Sequence, residues 1–404
     1  GSGLILTQGF QQPYSFYLSQ VLNIPTGWSG ISGYIDPMNK GIDNLFDAHI
    51  PDFIILASMT QFYYPDQGIN TVGDWNYETG YKVKADNEFN VTLTGTKISD
   101  PTVSMTEGWN LIPVLTACGG NTGELFTGMS EIIIVKEVAG TDVYWPQFGI
   151  HTMEELNPGK AYLVLLNDAA SFTYPACLKN SVNKLINEKT LNLSFWNDLT
   201  YTSVSHVIAF PSSVLQSSGL QPDDIVGVFT PEGICAGQMT IQNLNSSSAL
   251  IAFGDDETTI DKNGFNRGDM FQFKVFRPEG NEEINLNLEF NNTLPNLGVY
   301  ASHGLSAVKS AKLLAPSVNE INAFESVIFP NPSHGNFNIT LSHWPQNLEI
   351  QITDNKGRTI EVLNPENALD GSSLKFNYEN LPKGIYFIRL FNDEIVQVKK
   401  IVIN

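Results

Sequence analysis

The sequence has few basic residues, few cysteines and no long apolar run, and each shortage argues against a class of protein. No stretch approaches the ~20 apolar residues that span a bilayer, so we expect no membrane span. The 404 residues include 22 Lys and Arg against 42 Asp and Glu, a formal net charge of −20. Nucleic acids and anionic lipids bind basic surfaces, so this balance argues against both as partners. The N-terminus lacks the cationic and apolar segments of a signal peptide, and Gly1-Ser2-Gly3 is typical of a cloning remnant.

Cysteine is scarce as well. Cys118, Cys177 and Cys235 are too few and too scattered for a disulfide scaffold, and none has the spacing of a zinc site. Cys118 and Cys177 fall inside one predicted domain. The sequence therefore leaves open both a disulfide between them and free buried thiols.

Sequence motifs of catalysis are missing too. The chain has no G-x-S-x-G, H-E-x-x-H or P-loop, and its six histidines have no ligand-like spacing. Asp74, Glu78 and Glu137 lie near aromatic residues and are the candidates for the paired carboxylates of a glycosidase. We therefore expect a non-catalytic protein without a cofactor. The alternative is a secreted hydrolase acting on glycans or peptides, with its catalytic domain truncated or hidden in the duplicated module that residues 25–178 form.

What the sequence does contain is an internal repeat. Gly27-Trp28 recurs as Gly108-Trp109, and Tyr63-Tyr64-Pro65 recurs as Tyr144-Trp145-Pro146, each 81 residues later. The blocks predict a tandem duplication of residues 25–98 and 107–175. Each unit has short β-branched runs between turn residues, which favours strands. Because one unit is too small to bury its own core, we expect both to pack as a single domain, 25–178.

The rest of the chain predicts an all-β protein. Residues 1–24 are interpreted as the cloning remnant and a linker, and the evenly spaced apolar runs of 179–318 predict a β-sandwich module. Residues 319–404 predict a second sandwich. There, alternation places Leu348, Ile350 and Ile352 on one inward face. On a later strand we expect Ile385, Phe387 and Leu390 to point inward.

The C-terminal residues also carry five motifs in series. These are Pro-Asn-Pro at 330–332, Gly-x-Phe-x-Ile at 335–339, Asp-x-x-Gly-Arg at 354–358, Leu-Pro-x-Gly-x-Tyr-x-x-Arg at 381–389 and Val-Lys-Lys-Ile-Val-Ile at 398–403. The series resembles the C-terminal sorting domain of Bacteroidetes type IX secretion substrates. The upstream strings resemble accessory modules of large secreted Bacteroidetes proteins, which have no settled activity.

The resemblance implies an Ig-like sandwich that is recognised by the type IX secretion machinery. It also implies that the protein is secreted or held at the outer-membrane surface. The residues to which it assigns the sorting signal are Pro330, Asn331, Pro332, Gly335, Gly384, Tyr386, Lys399 and Lys400.

Aromatic residues in the repeats offer a candidate ligand site. Trp28 and Trp109 open the two units at the same position, which predicts that both lie in the core. Trp75 has no aromatic counterpart in the second unit and is flanked by Asp74 and Asn76. A stacked ring beside hydrogen-bonding groups is typical of sugar recognition. The sequence thus offers these three residues as a glycan site, with adhesion to a glycan or another cell-surface ligand as the leading function.

An acidic segment offers a candidate metal site. Asp255, Asp256, Asp261 and Asp269 form the densest group of oxygen ligands, and Ca²⁺ tolerates irregular oxygen coordination. The segment lacks the frame of an EF-hand loop. A solvated acidic turn is the alternative, and the pattern favours it.

Overall fold

The computed structural model describes residues 17–177, 195–196, 199–314, 326–341, 347–365, 373–392 and 396–404. Strands joined by tight turns dominate these residues, and the prediction of an all-β fold is confirmed. The predicted cloning remnant lies outside the described residues. Within the described parts of the chain, no helix is long and apolar enough to cross a membrane. The chain divides into two compact units, residues 1–191 with 201–203 and residues 192–200 with 204–404.

The first unit contains the two repeats. The elements of the first repeat are β1 (Leu18–Ile24), β2 (Gly27–Ile31), β3 (Ile35–Pro37), α1 (Ile42–Phe46), a 3-10 helix (Asp47–Asp52), β4 (Phe53–Ala57), β5 (Phe62–Tyr64), a 3-10 helix (Pro65–Gln67), β6 (Ile69–Asn70), β7 (Tyr81–Ala85) and β8 (Phe89–Lys97). Those of the second are β9 (Thr102–Met105), β10 (Gly108–Pro113), β11 (Gly120–Asn121), α2 (Thr122–Leu125), β12 (Ile132–Glu137), β13 (Val143–Trp145), a 3-10 helix (Pro146–Phe148), β14 (Ile150–His151), β15 (Glu155–Leu156), β16 (Ala161–Leu166) and β17 (Ala170–Thr173).

The two repeats build the same sheet. Its strand order is β2-β7-β4-β5-β6 in the first repeat and β10-β16-β12-β13-β14 in the second. Both sheets have a register shift at the same place, between β4 and β7 and between β12 and β16. The duplicated sequence is therefore a duplicated fold, whereas the domain boundaries drawn from the sequence stay predictions.

The shared aromatic-Pro-x-x-Gly turn shows how the repeated residues set this fold. Proline fixes its own φ and begins the 3-10 turn at Pro65 and at Pro146. Glycine ends the turn in the left-handed region, with φ of +64° at Gly68 and +63° at Gly149. Each glycine N–H donates to the proline carbonyl, over 2.8 Å and 3.0 Å. The turn thereby leads β5 into β6 and β13 into β14.

Each sheet has two packed faces. Tyr81 and Val83 of β7 point into the core of their own repeat, whereas the intervening Lys82 points away from it. On that other side the repeats approach closely, since a Cβ at Gly30 would collide with the carbonyl of Ala161. Backbone hydrogen bonds also link the two repeats, as from the Gly80 N–H to the Leu111 carbonyl at 2.9 Å.

Lysines are buried beside this contact between the repeats. Lys136 is only 2% exposed, and its ammonium lies 5.4 Å from the centre of the Trp109 ring. Burial, reinforced by the charge of Lys82, lowers the pKa of Lys136 well below its ordinary value. Burial also lowers the pKa of Lys82 to about 8. Since burial disfavours the charged form, these lysines weaken the fold while they are protonated.

A disulfide joins Cys118, near the start of the second repeat, to Cys177, just after its end, 59 residues further along the sequence. This settles the alternative that the sequence left open. Disulfides persist in oxidising compartments, outside the cytosol. Cys235, in the second unit, is buried and is not part of the disulfide, and burial raises the pKa of its thiol to about 11. A thiol that stays protonated is a poor nucleophile, so Cys235 is a packing residue.

The second unit begins with a seven-stranded sheet of order β20-β19-β22-β23-β24-β18-β21. Its elements are β18 (Ser205–Phe210), α3 (Ser212–Ser217), β19 (Ile225–Phe229), β20 (Cys235–Thr240), β21 (Ser248–Phe253), β22 (Gln272–Arg277), β23 (Glu282–Phe290) and β24 (Leu305–Leu314). The sheet rolls over until its two edge strands approach each other. The approach is close, since a Cβ at Gly237 of β20 would collide with the carbonyl of Ile251 on β21. The rolled, sandwich-like sheet encloses one apolar core.

The C-terminal module of the same unit is a two-layer sandwich. Its strands are β25 (Ser326–Phe329), β26 (Asn336–Leu341), β27 (Glu349–Asp354), β28 (Thr359–Leu363), β29 (Ser373–Asn377), β30 (Gly384–Phe391) and β31 (Val396–Ile403). One layer has the order β25-β26-β29 and the other β28-β27-β30-β31. The predicted inward face of β27 is correct, since Leu348, Ile350 and Ile352 are buried in the shared core.

The predicted inward face of β30 is wrong in part. Tyr386, Ile388 and Leu390 point inward, whereas Ile385 is 41% exposed and Phe387 is half-buried. The physical reason is the period of two along a strand: residues 385 and 390 are an odd number of positions apart and cannot share a face. The turn before β30 shifts the inward set by one residue.

The buried lysines generate a prediction about pH. The pKa of Lys82 rises from about 8 in the folded protein to the ordinary 10.5 on unfolding, so the unfolded chain binds more protons between these values. The free energy of unfolding should therefore increase as the pH rises from about 8 towards 10. Above pH 10 the buried Tyr162, whose pKa burial raises, reverses the trend. Urea denaturation at steps across this range measures the slope.

The test variant carries both Lys82→Met and Lys136→Met. The control variant carries Lys97→Met, at an exposed lysine. The double variant should flatten the increase and the control should retain it. A stability curve that is flat or falls with pH in the wild-type protein would contradict the assignment.

Candidate functional site

The terminal strand, β31, is the best-defined candidate site, and the core holds it from one side. It pairs with β30 along its whole length, from Gly384 opposite Ile403 to Phe391 opposite Val396. Its side chains alternate, and Ile401 and Ile403 are buried in the core of the sandwich. The last residues of the chain are thus part of the fold rather than a loose tail.

The Pro-Asn-Pro segment closes the outer edge of β31 at its C-terminal end, from Lys400 to Asn404. The Asn331 amide donates through Nδ2 to the Lys400 carbonyl at 2.7 Å, and its Oδ1 accepts from the Val402 N–H at 3.0 Å. The next contacts are made by the backbone: the Ser333 N–H donates to the Val402 carbonyl, and the Asn404 N–H donates to the Ser333 carbonyl, both at 2.8 Å. The side chain of Asn331 therefore takes the place of a strand residue.

The residues beside Asn331 suit this edge position. Pro330 and Pro332 each follow a cis peptide bond and have no N–H that would stay unpaired at an edge. Gly335 then turns the chain with a φ of +95°, and a Cβ there would lie 2.7 Å from the backbone of Glu379. Only glycine fits both constraints.

Three further signal residues lie on the terminal hairpin. Tyr386 is buried, and its hydroxyl donates to the Pro382 carbonyl at 2.7 Å, which anchors the turn before β30. Lys399 is half-buried opposite Ile388, and Lys400 is exposed opposite Phe387. The structure thus brings all eight predicted signal residues to the terminal hairpin and its edge.

The Asp-x-x-Gly-Arg motif forms the turn after β27. Asp354 accepts hydrogen bonds from the backbone N–H groups of Lys356 and Arg358. It also forms an ion pair with the Arg358 guanidinium at 2.7 Å. Burial acts to raise the pKa of Asp354, but these hydrogen bonds outweigh it and hold the pKa below its ordinary value. Ionised Asp354 therefore stabilises the fold at any pH above the ordinary carboxyl pKa. This stabilisation is lost as the pH falls through the lowered pKa that Asp354 has in the folded protein.

The structure corrects the glycan interpretation of Trp75. The side chain is 1% exposed and packs on Tyr81 with the ring centres 4.8 Å apart, so neither ring face is open to a sugar. Asp74 and Asn76 are exposed on either side, but without the ring they form no stacking site.

The repeat explains why Trp75 is buried. The Asn76 N–H donates to the Tyr81 hydroxyl, and the Asn157 N–H donates to the Tyr162 hydroxyl, both at 2.8 Å. Trp75 therefore has the same place as Leu156, which is fully buried. Duplicated packing demands an apolar residue here, though not an aromatic one.

The structure also reverses the assignment of the opening tryptophans. Trp28 and Trp109 are half-buried rather than central core residues. They follow the glycines Gly27 and Gly108, on the strands that face the other repeat. Their packing role is at this contact, where Lys136 lies over the Trp109 ring.

The acidic loop does not form the predicted calcium site. Three of its carboxylates accept hydrogen bonds from their own turns: Asp255 from the Asn263 N–H, Asp256 from Thr258 and Asp269 from the Asn266 N–H. Asp261 is exposed to solvent. Across the described ranges, no three His, Cys, Asp or Glu side chains are placed to hold a metal ion. Turn-forming hydrogen bonds, rather than a shared ion, explain why these acids are close in sequence.

The three carboxylates proposed for hydrolysis have separate local roles. Glu137 accepts a hydrogen bond from the Asp142 N–H of its own turn at 3.1 Å. Asp74 forms an isolated backbone bridge with Gly41, and Glu78 is exposed.

Sequence reasoning missed Ser333 and Arg389. Ser333 closes the edge through its backbone, which any residue offers, and its hydroxyl accepts from the Gly335 N–H at 3.1 Å. Arg389 was quoted only as the end of a motif. The alternation of β30 was the available signal, since Arg389 lies on the outward face between apolar residues.

Comparisons with known proteins agree with this site. Residues 327–404 match the family model described as "Secretion system C-terminal sorting domain". These residues are a sorting domain of the type IX kind, and the chain is a type IX secretion substrate. It is accordingly an exported protein, secreted or attached to the cell surface, and its sorting domain interacts with the secretion machinery.

Other comparisons add little. No curated protein sequence matches the chain. The structure titled "Biofilm associated protein - BSP domain" is 11% identical with a TM-score of 0.17, over 96% of this chain and 63% of that one. Dimeric latent PorU from Porphyromonas gingivalis is 9% identical with a TM-score of 0.17, over 95% of this chain and 30% of that one. The chain thus spans less than two thirds of either protein, and similarity this weak supports no argument about fold or function.

The burial of Trp75 gives a prediction. Trp75→Ala should lower the free energy of unfolding by ~3–5 kcal/mol, because a buried tryptophan leaves a large cavity. Trp28→Ala, at a half-buried position, should cost less. Urea denaturation of both variants measures the difference. A Trp75→Ala protein as stable as wild type would show that the ring does not support the core.

Proposed function

We propose that this chain belongs to an exported, non-catalytic protein and that its first repeat presents a contact surface for a ligand outside the cell. In this proposal the sorting domain directs export of the chain, and the modules upstream of it bind the ligand. Adhesion to a cell-surface ligand is the function that this arrangement supports best.

One observation carries the proposal, and it is the difference between the two repeats. Eight large apolar side chains are well exposed within residues 17–98, whereas none is within residues 99–177. The exposed residues are Tyr17, Leu18, Val21, Met38, Ile50, Met59, Phe62 and Ile69. The first repeat thus exposes apolar side chains to solvent that the second repeat lacks or buries.

The β5–β6 hairpin shows the difference at equivalent positions. The Phe62 N–H donates to the Thr71 hydroxyl and the Val143 N–H to the Thr152 hydroxyl, both at 2.9 Å, so Phe62 and Val143 correspond. Phe62 is 38% exposed and Val143 is fully buried.

The next strand of the hairpin repeats the contrast. Ile69 pairs with Tyr64 as Ile150 pairs with Trp145, and Ile69 is 37% exposed whereas Ile150 is 1% exposed. Phe62, Tyr64 and Ile69 share one face of the sheet. We call these three residues the hairpin patch.

Exposed apolar patches on a soluble domain are typical of interaction sites. Aromatic residues at such a site supply large contact areas at a low cost in conformational entropy. A ligand for the hairpin patch should be apolar, and the net charge of −20 favours a ligand that also carries positive charge.

The binding test uses a double variant that carries both Phe62→Ser and Ile69→Ser. It is compared with the wild-type chain and with the single variant Ile260→Ser. Ile260 is fully exposed in the other unit and serves as the control. Purified proteins are applied to a glycan array and to immobilised whole cells. We expect the double variant to lose binding about tenfold or more, the scale on which interface hot spots act.

Melting curves check the fold, and these exposed substitutions should change stability by about 0.5 kcal/mol each or less. A double variant that binds as well as wild type would remove the hairpin patch from the contact. Turnover of chromogenic glycosides or peptides by the purified chain would contradict the non-catalytic assignment.

A further inference from the structure

The second unit contains a cavity between two sheet faces, with a volume of about 660 Å³. One wall is the outward face of β23 and β24, and the other is the outward face of β27, β30 and β31. Sites for small molecules have volumes of roughly 300–1,000 Å³ and often lie where two modules meet. This cavity therefore has the size and the position of a small-molecule site.

Alternation along the strands decides which side chains line the cavity. Leucines of β23 fill the core of the preceding sheet, so the alternate residues Asn287 and Glu289 face the cavity. On β30 the inward residues fill the core of the sorting domain, and Phe387, Arg389 and Phe391 face the cavity from the other side. Both walls are thus built on strands that a packed core holds in place.

The two walls also come close to each other. A Cβ at Gly268, before β22, would lie 3.5 Å from the Phe387 ring. A Cβ at Gly357, in the turn after β27, would lie 3.7 Å from the backbone nitrogen of Leu297. Charges between surfaces in such near contact are screened less by salt than charges on an open surface.

The charges in the lining reverse the balance of the whole chain. Three lining residues are basic, Lys309, Lys312 and Arg389, and two are acidic, Glu289 and Glu349. Three minus two gives a formal charge of +1, whereas the whole chain has 22 basic residues against 42 acidic ones. A ligand with one negative charge would balance this lining.

Arg389 is the basic residue that is best placed to hold such a ligand. Its guanidinium lies over the Phe391 ring, 4.5 Å from the ring centre, and this stacking fixes its orientation. Its Nε–H is buried and has no acceptor among the described residues. A buried donor without an acceptor costs stability, so an acceptor that enters the cavity would be favoured.

The acids of the lining leave this donor unpaired. Glu289 and Glu349 act on the charge of Arg389 and oppose the lowering of its pKa by burial, but neither forms an ion pair with it among the described residues. Glu289 instead accepts a hydrogen bond from the Ser310 hydroxyl of the neighbouring strand at 3.0 Å. Lys309 is exposed and has no ion pair within the described ranges, so its charge is also available to a ligand.

Apolar side chains complete the lining. Phe290 and Leu297 contribute from the preceding sheet, and Phe387 and Val398 contribute from the sorting domain. A guanidinium presents its N–H groups as a fork that fits the two oxygens of a carboxylate. The lining therefore combines a fork for one carboxylate with apolar surface for the body of the same molecule.

We propose that this cavity is a binding site for a small monocarboxylic acid with an apolar body. Its carboxylate pairs with the Nε–H and a terminal N–H of Arg389, and its apolar body lies against Phe387 and Val398. The site depends neither on the export role of the sorting domain nor on the hairpin patch of the first repeat.

The test titrates the purified full chain by calorimetry with acetate, octanoate and phenylacetate, and with phenylacetamide as the uncharged match of phenylacetate. We expect one molecule of octanoate or phenylacetate to bind per chain, and acetate to bind more weakly because it has no apolar body. Phenylacetamide should bind about tenfold or more weakly than phenylacetate, since it cannot form the charge-assisted pair. A wild-type chain that binds none of the carboxylates would overturn the proposal.

Two matched pairs of variants locate the site. Arg389→Met keeps the unbranched stem and removes the charge, and Arg267→Met is its control at an exposed arginine outside the lining. Lys312→Glu reverses a charge of the lining, and Lys375→Glu does so at an exposed lysine outside it. Arg389→Met should weaken carboxylate binding about tenfold or more and Lys312→Glu should weaken it by less, with both controls unchanged. Carboxylate binding that survives Arg389→Met would place the site elsewhere and contradict the proposal.

The stability of the ligand-free chain separates a binding role of Arg389 from a structural one. Because Arg389→Met removes an unpaired buried donor, the variant should melt at or above the temperature of the wild-type chain. A melting temperature several degrees lower would show that the guanidinium holds the fold together, and it would overturn the assignment of Arg389 to a ligand.

Discussion

The sorting domain depends on how its last strand satisfies the hydrogen bonds of both edges. A strand at the edge of a sheet presents a row of unpaired N–H and C=O groups, and such rows invite pairing with other chains. In this protein the terminal strand is paired with β30 on one side and with Asn331 and Ser333 on the other. Its inward residues, Ile401 and Ile403, fill the core between the two layers. Edge closure and core packing therefore come from the same few residues at the end of the chain.

The upstream repeats show a different use of one fold. Their sheets have the same strand order and the same turns, because the glycines and prolines that set the backbone are repeated. The side chains on the hairpin have diverged, so that Phe62 is exposed where Val143 is buried. The two repeats thus share one backbone and differ in the apolar surface that they expose. That division suits a protein whose modules are carried out of the cell to make contacts there.

Several features could be read from the sequence because their signals are local. Alternation along β27, the glycines of the repeated turns and the motifs of the sorting domain each depend on a few neighbouring residues, and the structure places them as predicted. On β30 the prediction for Leu390 is correct and those for Ile385 and Phe387 are wrong, because side chains alternate along a strand and positions 385 and 387 cannot share a face with position 390.

Other features depend on contacts between distant residues. Trp75 is buried because it packs on Tyr81 in the repeat core, and nothing in its flanking residues signals this. The acidic residues of the 255–269 loop are close in sequence but bind their own turns, and only the folded loop shows that they do not converge. The Cys118–Cys177 pairing was likewise beyond the sequence, since it needs the position of both ends of the second repeat.

The central claim is that the terminal strand completes the export signal, and truncation of that strand tests it most directly. A chain ending at Val398 lacks Lys399 to Asn404, and with them Ile401, Ile403 and the backbone groups that bind Asn331 and Ser333. The account predicts that the truncated chain stays inside a type IX-competent cell and that its sorting domain loses cooperative melting. Normal export of the truncated chain would contradict the account.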